Sequence, residues 1–251
     1  MTTATNSPAQ DQQAAREVYA AFLMIGQSNM AGRGHFHEVE PLADPRCKML
    51  RMGRWQPMSE PVNPDRQILD PSWHSGVSLG PSFAIDAANF YNAKVGLIPC
   101  ADGGTAVREW MPGTVLFDHA VMMSSLAARS STLRGILWHQ GEADYRGCLD
   151  EYGRDLAVMF AELRKALGDA NLPVVIGELS GCMCYQGVEP DKVKVFNRRL
   201  PAMAARIGHC AVARAEDLAV QSDGVHFSAV SQRALGHRYF EAFRSLVENQ
   251  P

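Results

Sequence analysis

The sequence predicts an α/β protein built from βαβ units, and three observations support this fold class. The chain has 251 residues, of which 46% are hydrophobic, and this is enough to form one large core. Five short apolar runs alternate with five longer segments in which apolar residues recur at helical spacing. The apolar runs are nearly continuous, as expected for parallel strands that helices cover on both faces.

Each apolar run predicts one strand. The first run ends abruptly in Gly26-Gln27-Ser28-Asn29, so a buried strand delivers a hydroxyl group to the edge of the sheet. The runs are rich in Val, Ile and Leu, which favour strands. The predicted strands are 19–25, 94–99, 135–139, 174–178 and 210–213.

The segments between and after these strands predict helices. Segment 81–92 begins at Gly80-Pro81, and proline is favoured in the first turn of a helix. In the last segment, apolar residues recur at helical spacing from Val230 to Phe243. The predicted helices are 81–92, 115–130, 149–167, 190–207 and 229–248.

Residues 32–80 do not follow this alternation. They contain six prolines and two tryptophans, Trp55 and Trp73. We expect a long loop excursion over the strand ends, and ordered loops of this length often carry function. Residues 1–17 are polar and predict a flexible tail, which leaves 18–251 as a single domain.

Charge and hydropathy predict the partners. A formal net charge of −3 gives no reason to expect nucleic acid or an anionic membrane as a partner. No apolar run approaches the ~20 residues that a membrane span requires. The N-terminus lacks the basic start and apolar core of a secretory signal, so we expect a cytoplasmic protein, with secretion after signal removal as the alternative. The sequence makes no prediction of oligomeric state.

Six cysteines predict neither disulfides nor a metal site. A chain of this size does not depend on disulfides for stability. Cys182 and Cys184 are one residue apart, but they lack the paired spacing of a zinc site. We expect free thiols in the core or in loops.

Polar and glycine-rich segments follow the predicted strands at one edge of the sheet. In open parallel sheets, functional sites form outside the carboxyl ends of the strands. We therefore expect one site to be formed by four segments: Ser28, Gly103-Gly104-Thr105, Gln140-Gly141-Glu142, and the loop with Asp223 and His226.

Ser28, His226 and Asp223 are the candidate catalytic residues. A serine nucleophile needs a base, and the imidazole of His226 can take and return a proton near neutral pH. Asp223 lies three residues before His226 and can hold its ring in one tautomer. The alternatives are a helix cap for Ser28, a loop histidine for His226 and a turn residue for Asp223. Glu142 is either an anchor of its loop or the alternative acid.

Donors for an oxyanion hole are predicted in three of the segments. Gly103 and Gly104 let the backbone come close to a substrate and aim an N–H group at it, although a tight turn is the alternative. The N–H group of Ser28 and the side-chain amide of Gln140 complete the predicted set. The candidate substrate-binding residues are Gln27, His35, Arg108, Trp110 and His139.

The same motifs resemble the SGNH hydrolase superfamily. The segments Gly26-Gln27-Ser28-Asn29-Met30, Gly103-Gly104-Thr105 with Trp110, Trp138-His139-Gln140-Gly141-Glu142 and Asp223-Gly224-Val225-His226 look like its four signature blocks. They are similar to the branch that holds carbohydrate esterase family 6 and relatives of sialate O-acetylesterases. The matching blocks cover nearly the whole chain.

The resemblance implies a three-layer α/β/α sandwich with a flavodoxin-like, five-stranded parallel sheet. It implies a serine esterase without metal or cofactor that removes O-acetyl groups from xylan, oligosaccharide or sialic acid. By block, Ser28 is the nucleophile, His226 the base and Asp223 the acid, with Glu142 as the acid in some relatives. Gln140 replaces the asparagine that the wider superfamily uses. The alternatives are a lipase- or thioesterase-like hydrolase and a carbohydrate-binding relative without catalytic activity.

Overall fold

A seven-stranded sheet lies at the centre of the fold, in the strand order β3-β2-β4-β1-β5-β6-β7. The structure is a computed structural model and describes residues 18–64, 74–184 and 190–248. The predicted tail at 1–17 and Trp73 lie outside the described residues. The strands are β1 Tyr19–Gly26, β2 Cys47–Arg51, β3 Arg54–Pro57, β4 Val95–Pro99, β5 Ser131–His139, β6 Val174–Gly177 and β7 Cys210–Ala213.

Helices cover both faces of this sheet, and short 3-10 helices occupy Phe36–Glu38 and Val107–Trp110. All five predicted helices are present, and a further short helix follows β1. The α-helices are α1 Ser28–Ala31, α2 Gly80–Tyr91, α3 Val115–Ala127, α4 Leu149–Leu167, α5 Pro190–Ile207 and α6 Ala229–Glu248. The predicted α/β fold class is confirmed.

The five predicted strands are all present and parallel to their neighbours within the order β4-β1-β5-β6-β7. This is the flavodoxin order, in which the chain moves to opposite sides of the first strand. The carboxyl ends of β1, β4 and β5 therefore lie side by side, and the segments that follow them meet at one edge.

The central strand β1 contributes to both cores because its side chains alternate between the faces of the sheet. Leu23 and Ile25 join the core under α3, α4 and α5, whereas Phe22 and Met24 join the core under α2 and α6. All four side chains are fully buried. Burying a side chain of this size stabilises the fold by roughly 1.5–3 kcal/mol, so β1 is fixed from both sides.

The sheet has two strands more than the predicted five, and both come from the 32–80 excursion. β2 pairs in parallel with β4, and β3 pairs antiparallel with β2. The turn between them places Met52 and Gly53 at φ values of 51° and 74°. Two-residue hairpin turns with two positive φ angles usually carry Asn-Gly or Asp-Gly. Because Met52 occupies the first turn position, the sequence did not predict this hairpin.

The part of the excursion that follows β3, up to residue 64, is bound to the domain by polar contacts. The Glu60 carboxylate accepts hydrogen bonds from both terminal nitrogens of Arg233 on α6, at 2.8 and 2.5 Å. Asn63 exchanges two hydrogen bonds of 3.0 Å with the backbone of Ala101, directly after β4. The excursion is thereby held against the edge at which the polar segments meet.

No helix within the described part of the chain is long and apolar enough to cross a membrane.

Gly26 is the backbone position on which the end of β1 depends. Its φ is +126°, and a Cβ atom there would lie 2.1 Å from the carbonyl oxygen of His139 on β5. We expect Gly26→Ala to lower the free energy of unfolding by at least about 3 kcal/mol, measured by denaturant unfolding.

The matched control is Gly168, which ends α4 at φ +77° with nothing within 4 Å of its Cβ position. Gly168→Ala should cost only about 1–2 kcal/mol, the strain of a left-handed residue. Equal losses in both variants would show that the close approach of β1 to β5 contributes nothing.

Candidate active site

Ser28 stands just beyond the carboxyl end of β1, as the first residue of α1. The N–H group of Gln27 donates to the carbonyl oxygen of His139 at 2.9 Å, which keeps the turn against β5. Ser28 is 4% exposed, so its hydroxyl lies at the floor of the site rather than on the open surface.

The structure brings Asp223, His226 and Ser28 into one chain of hydrogen bonds. His226 Nε2 lies 2.9 Å from Ser28 Oγ, and His226 Nδ1 lies 2.6 Å from Asp223 Oδ2. The serine and the imidazole are 198 residues apart in sequence. This arrangement can remove the hydroxyl proton through Nε2 while the carboxylate holds Nδ1 protonated.

The Asp223 carboxylate is kept ionised by its local turn. Its Oδ1 atom accepts from the N–H groups of Val225 and His226, each at 2.9 Å. Burial alone would raise the pKa of Asp223, but these two donors and the imidazole outweigh it and lower the pKa below its usual value. Asp223 is thus both a turn residue and the partner of the imidazole.

Asn29 was absent from the predicted site, yet it joins the two halves of the site. Its Nδ2 donates to Glu142 Oε1 at 2.6 Å and to the Val225 carbonyl oxygen at 3.3 Å, and its Oδ1 accepts from the Phe227 N–H group at 3.1 Å. The side chain therefore holds both backbone neighbours of His226. A polar residue next to the predicted nucleophile, in a segment that begins as an apolar run, was the available signal.

Glu142 is buried behind the site and bonds to Asn29, not to His226. Its side chain is 4% exposed. Burial raises its pKa to about 7, although the hydrogen bond from Asn29 opposes the shift. Within the described residues, the carboxylate on His226 Nδ1 is that of Asp223, whereas Glu142 is connected to the His226 loop through Asn29, which bonds to the backbone of Val225 and Phe227.

His139 is a buried structural side chain and does not line an open surface. It is 0% exposed, and burial lowers its pKa to about 3. Tyr239 donates its hydroxyl to the Trp138 carbonyl oxygen at 2.6 Å and lies 2.9 Å from His139 Nδ1. Because the tyrosine proton is already used, we assign the imidazole proton to Nδ1. The predicted contact of His139 with substrate does not fit this burial.

Gln140 also departs from its predicted role. Its Nε2 atom lies 2.5 Å from Asp144 Oδ2, 3.0 Å from the Thr105 carbonyl oxygen and 3.2 Å from Gln27 Oε1. An amide nitrogen has two hydrogens, and these acceptors take both. The side chain therefore fixes the segments around Gly103-Gly104 instead of aiming a free N–H group at a substrate.

Gly103 and Gly104 form a turn beside the serine. The Asp102 N–H group donates to the Gly26 carbonyl oxygen at 2.9 Å, which ties the segment after β4 to the end of β1. Gly104 is exposed and has a φ of +77°. Its N–H group makes no backbone hydrogen bond within the part of the chain that is described.

The remaining predicted binding residues fall into two groups. Gln27 and Trp110 are 4% and 1% exposed; Gln27 accepts from Gln140, and the Trp110 indole donates to Thr105 Oγ1 at 3.0 Å. The predicted substrate contact of Trp110 is incompatible with its place in the core. Arg108 and His35 are exposed, and His35 lines a cavity of about 690 Å³ together with Asp223 and His226.

All six cysteines are free thiols, as predicted, and Cys182 and Cys184 are exposed. Cys184 nevertheless supports the site, because its N–H group donates to the Gly224 carbonyl oxygen at 2.8 Å. Among the described side chains, His, Cys, Asp and Glu form no group of three that could hold a metal ion.

Comparison with known proteins identifies the family. Residues 18–245 match the family model described as carbohydrate esterase, sialic acid-specific acetylesterase. The chain belongs to this family. It is also 30% identical over 246 residues to a probable carbohydrate esterase of Arabidopsis thaliana, covering 89% of this chain and 90% of the relative.

Solved structures of carbohydrate esterases and other proteins share the fold. A crystal structure of the Arabidopsis thaliana protein superimposes with a TM-score of 0.75 at 27% identity, over 91% of this chain and 98% of that one. NanS superimposes with a TM-score of 0.74 at 16% identity, over 94% of this chain and 99% of that one. A carbohydrate acetylesterase from Xanthomonas citri superimposes with a TM-score of 0.65 at 18% identity. The match covers 92% of this chain and 57% of that one.

Membership of this family confirms the predicted class of enzyme. The chain is a carboxylic ester hydrolase of the carbohydrate esterase type. The resemblance to carbohydrate esterases related to sialate O-acetylesterases, which the four motifs predicted, is likewise confirmed.

Glu142 should make the stability of this esterase depend on pH. A carboxyl group with a pKa of 4.5 when unfolded and about 7 when folded keeps its proton more tightly in the folded state. Below pH 4.5 the carboxyl group is protonated in both states, so it does not change the free energy of unfolding with pH. As the pH rises from 4.5 to 7 it lowers the free energy of unfolding increasingly, and above pH 7 this loss is constant. Relative to Glu142→Gln, the wild type should lose on the order of 3 kcal/mol across this range.

Denaturant unfolding at several pH values measures this difference. The same substitution at Glu162, an exposed residue of α4, is the matched control and should show no comparable trend. A difference between wild type and Glu142→Gln that stays constant from pH 4.5 to 7.5 would contradict the prediction.

Proposed function

We propose that the enzyme hydrolyses O-acetyl esters of carbohydrates through an acetyl-enzyme intermediate on Ser28. The observation that carries this proposal is the unbroken series Asp223 Oδ2, His226 Nδ1, His226 Nε2 and Ser28 Oγ, with spacings of 2.6 and 2.9 Å. Membership of the carbohydrate esterase family supports the ester as substrate.

The first half of the reaction forms the acetyl-enzyme. Ser28 Oγ attacks the acetyl carbonyl carbon, and its proton passes to His226 Nε2. The resulting tetrahedral intermediate collapses when its bond to the sugar oxygen breaks. His226 returns the proton to that oxygen, so the sugar leaves as a neutral alcohol.

The second half repeats these steps with water. His226 Nε2 takes a proton from water as the water oxygen attacks the acetyl carbon. When the bond to Ser28 Oγ breaks, the proton returns to the serine and acetic acid is released, which gives up its proton to water as acetate. The imidazole carries a positive charge in both halves, and the Asp223 carboxylate stabilises this charge.

The negative oxygen of the tetrahedral intermediate needs hydrogen-bond donors on the side of Ser28 that faces away from His226. We assign this role to the backbone N–H groups of Ser28 and Gly104. The Asp102 N–H group donates to the Gly26 carbonyl oxygen and so ties together the two segments that carry them. Donors of this kind contribute about 10² to 10³ each in rate. Gln140 positions this region by bonding to Thr105.

Ser28→Ala should abolish acetate release from acetylated sugars and from p-nitrophenyl acetate, because no other hydroxyl replaces Oγ. We expect a loss of roughly 10⁴-fold or more in kcat, measured by acetate release. Ser125, an exposed serine of α3, provides the control Ser125→Ala with activity near that of the wild type. Activity retained in Ser28→Ala would refute the proposal, provided that both variants are folded.

The two candidate acids should differ in their effect on rate. Asp223→Asn removes the negative charge beside the imidazolium and should lower kcat by roughly 10³-fold or more. Glu142→Gln keeps an acceptor for Asn29 and should lower kcat by less than about tenfold. Initial rates on an acetylated sugar measure both, and the reverse order would assign the acid role to Glu142.

A further inference from the structure

We infer that the cavity of about 690 Å³ beside His226 binds the alcohol half of the ester, a sugar ring, and that His35 and His37 determine specificity for it. This inference rests on the proposed function. It assigns the sugar half of the ester to this cavity, and it assigns substrate specificity to two histidines that take no part in the catalytic steps above.

The position of the cavity decides which half of the ester it receives. Asp223 and His226 line it, whereas Ser28 and Gly104 do not. In the proposed reaction, His226 gives its proton to the leaving sugar oxygen, so the sugar must lie on the side of the imidazole. The acetyl oxygen lies on the opposite side, toward the backbone N–H groups of Ser28 and Gly104.

The volume fits a sugar better than an acetyl group. Ligand sites commonly measure about 300–1,000 Å³, and the cavity falls in this range. An acetyl group adds only one methyl group beyond the carbonyl carbon that Ser28 attacks. The space beside His226 therefore far exceeds what the acyl half of an acetyl ester can fill.

The wall of the cavity has the mixed character that a sugar ring requires. The rings of His35 and His37 stack with centroids 5.5 Å apart and planes 16° apart, and both residues are exposed. They offer a flat face to the C–H groups of a sugar and ring nitrogens to its hydroxyls. His74, Ser75 and Gln221 add polar groups to the wall, and the exposed ring of Phe36 adds an apolar surface.

The cavity is preformed by backbone contacts between its two sides. Gly34 and Val77 exchange hydrogen bonds of 3.1 and 2.8 Å, and a Cβ atom at Gly76 would lie 2.2 Å from the Gly34 carbonyl oxygen. Only a glycine permits this approach. A preformed site loses less conformational entropy on binding.

Two further side chains tie this wall to the catalytic loop. Gln221 Nε2 donates to the carbonyl oxygens of Arg33 and Phe227, at 2.6 and 3.1 Å. Glu38 Oε2 accepts from the Ala229 N–H group at 2.7 Å, which fixes the 3-10 helix that carries His37. The position of the His35–His37 pair is therefore coupled to that of His226.

The test compares kcat/KM for three esters in the wild type and in the double variant His35→Ala/His37→Ala. Acetylated xylose or O-acetylated sialic acid has a sugar leaving group, ethyl acetate has a small one, and ethyl hexanoate has a long acyl chain. We expect the ratio of sugar acetate to ethyl acetate to fall at least tenfold, mainly through KM. The ratio of ethyl hexanoate to ethyl acetate should stay within twofold.

His237 provides the matched control, because it is an exposed histidine on α6 that pairs with Asp86. His237→Ala should leave both ratios unchanged. If the double variant does not fold, inhibition of the wild type by its product is measured instead. Free sugar should then act as a competitive inhibitor of ethyl acetate hydrolysis.

The possible outcomes separate this inference from the proposed function. An unchanged sugar ratio, a changed hexanoate ratio, or free sugar that does not compete would each overturn the assignment of the cavity. A wild type that hydrolyses none of the three esters would instead overturn the proposed function. A tenfold loss confined to the sugar acetate, or competition by free sugar, supports the assignment.

Discussion

The side-chain amide of Asn29 is the contact on which the geometry of the site depends. Ser28 is fixed by the end of β1, whereas His226 lies in the loop between β7 and α6, outside the strands of the sheet. Asn29 bonds to the Val225 carbonyl oxygen and the Phe227 N–H group, so it fixes the backbone on both sides of the imidazole. Since Asn29 is the next residue after Ser28, these bonds connect the segment that carries the Ser28 hydroxyl directly to the loop that carries the His226 imidazole. The 2.9 Å spacing between them is thus maintained locally.

Glu142 fixes the orientation of the Asn29 amide group. One amide nitrogen of Asn29 serves two acceptors, the Glu142 carboxyl oxygen and the Val225 carbonyl oxygen, and each defines one hydrogen of the NH₂ group. The amide plane is thereby set, which directs Oδ1 at Phe227. A buried carboxyl group is destabilising when ionised, and its raised pKa expresses this. The same carboxyl group orients the Asn29 amide, which holds the loop that carries His226.

The sequence predicted the parts of the fold and site that rest on short-range patterns. β1, β4, β6, β7 and the second half of β5 are nearly continuous apolar runs, and Ser28, Asp223 and His226 were predicted from the chemistry of a serine nucleophile. The β2–β3 hairpin was missed because Met52 occupies a turn position that usually carries asparagine or aspartate. The role of Asn29 was missed because its contacts span 113 or more residues, and that of Gln140 because two of its three acceptors lie 35 and 113 residues away. No pattern within a window of sequence reports such contacts.

The two extra strands explain why the excursion can form a binding wall. A loop of this length would be costly to order by itself, but β2 pairs with β4 and Trp55 of β3 packs against Gly96, where a Cβ atom would lie 2.5 Å from its ring. With the ion pair between Glu60 and Arg233, these contacts fix the excursion at several points. The segments around His35 and Ser75 can then stand rigidly beside His226 without contributing a reacting group. In the proposed reaction, catalysis depends on the segments at the strand ends and substrate selection on the excursion, so substitutions in the excursion should change specificity while the catalytic residues are preserved.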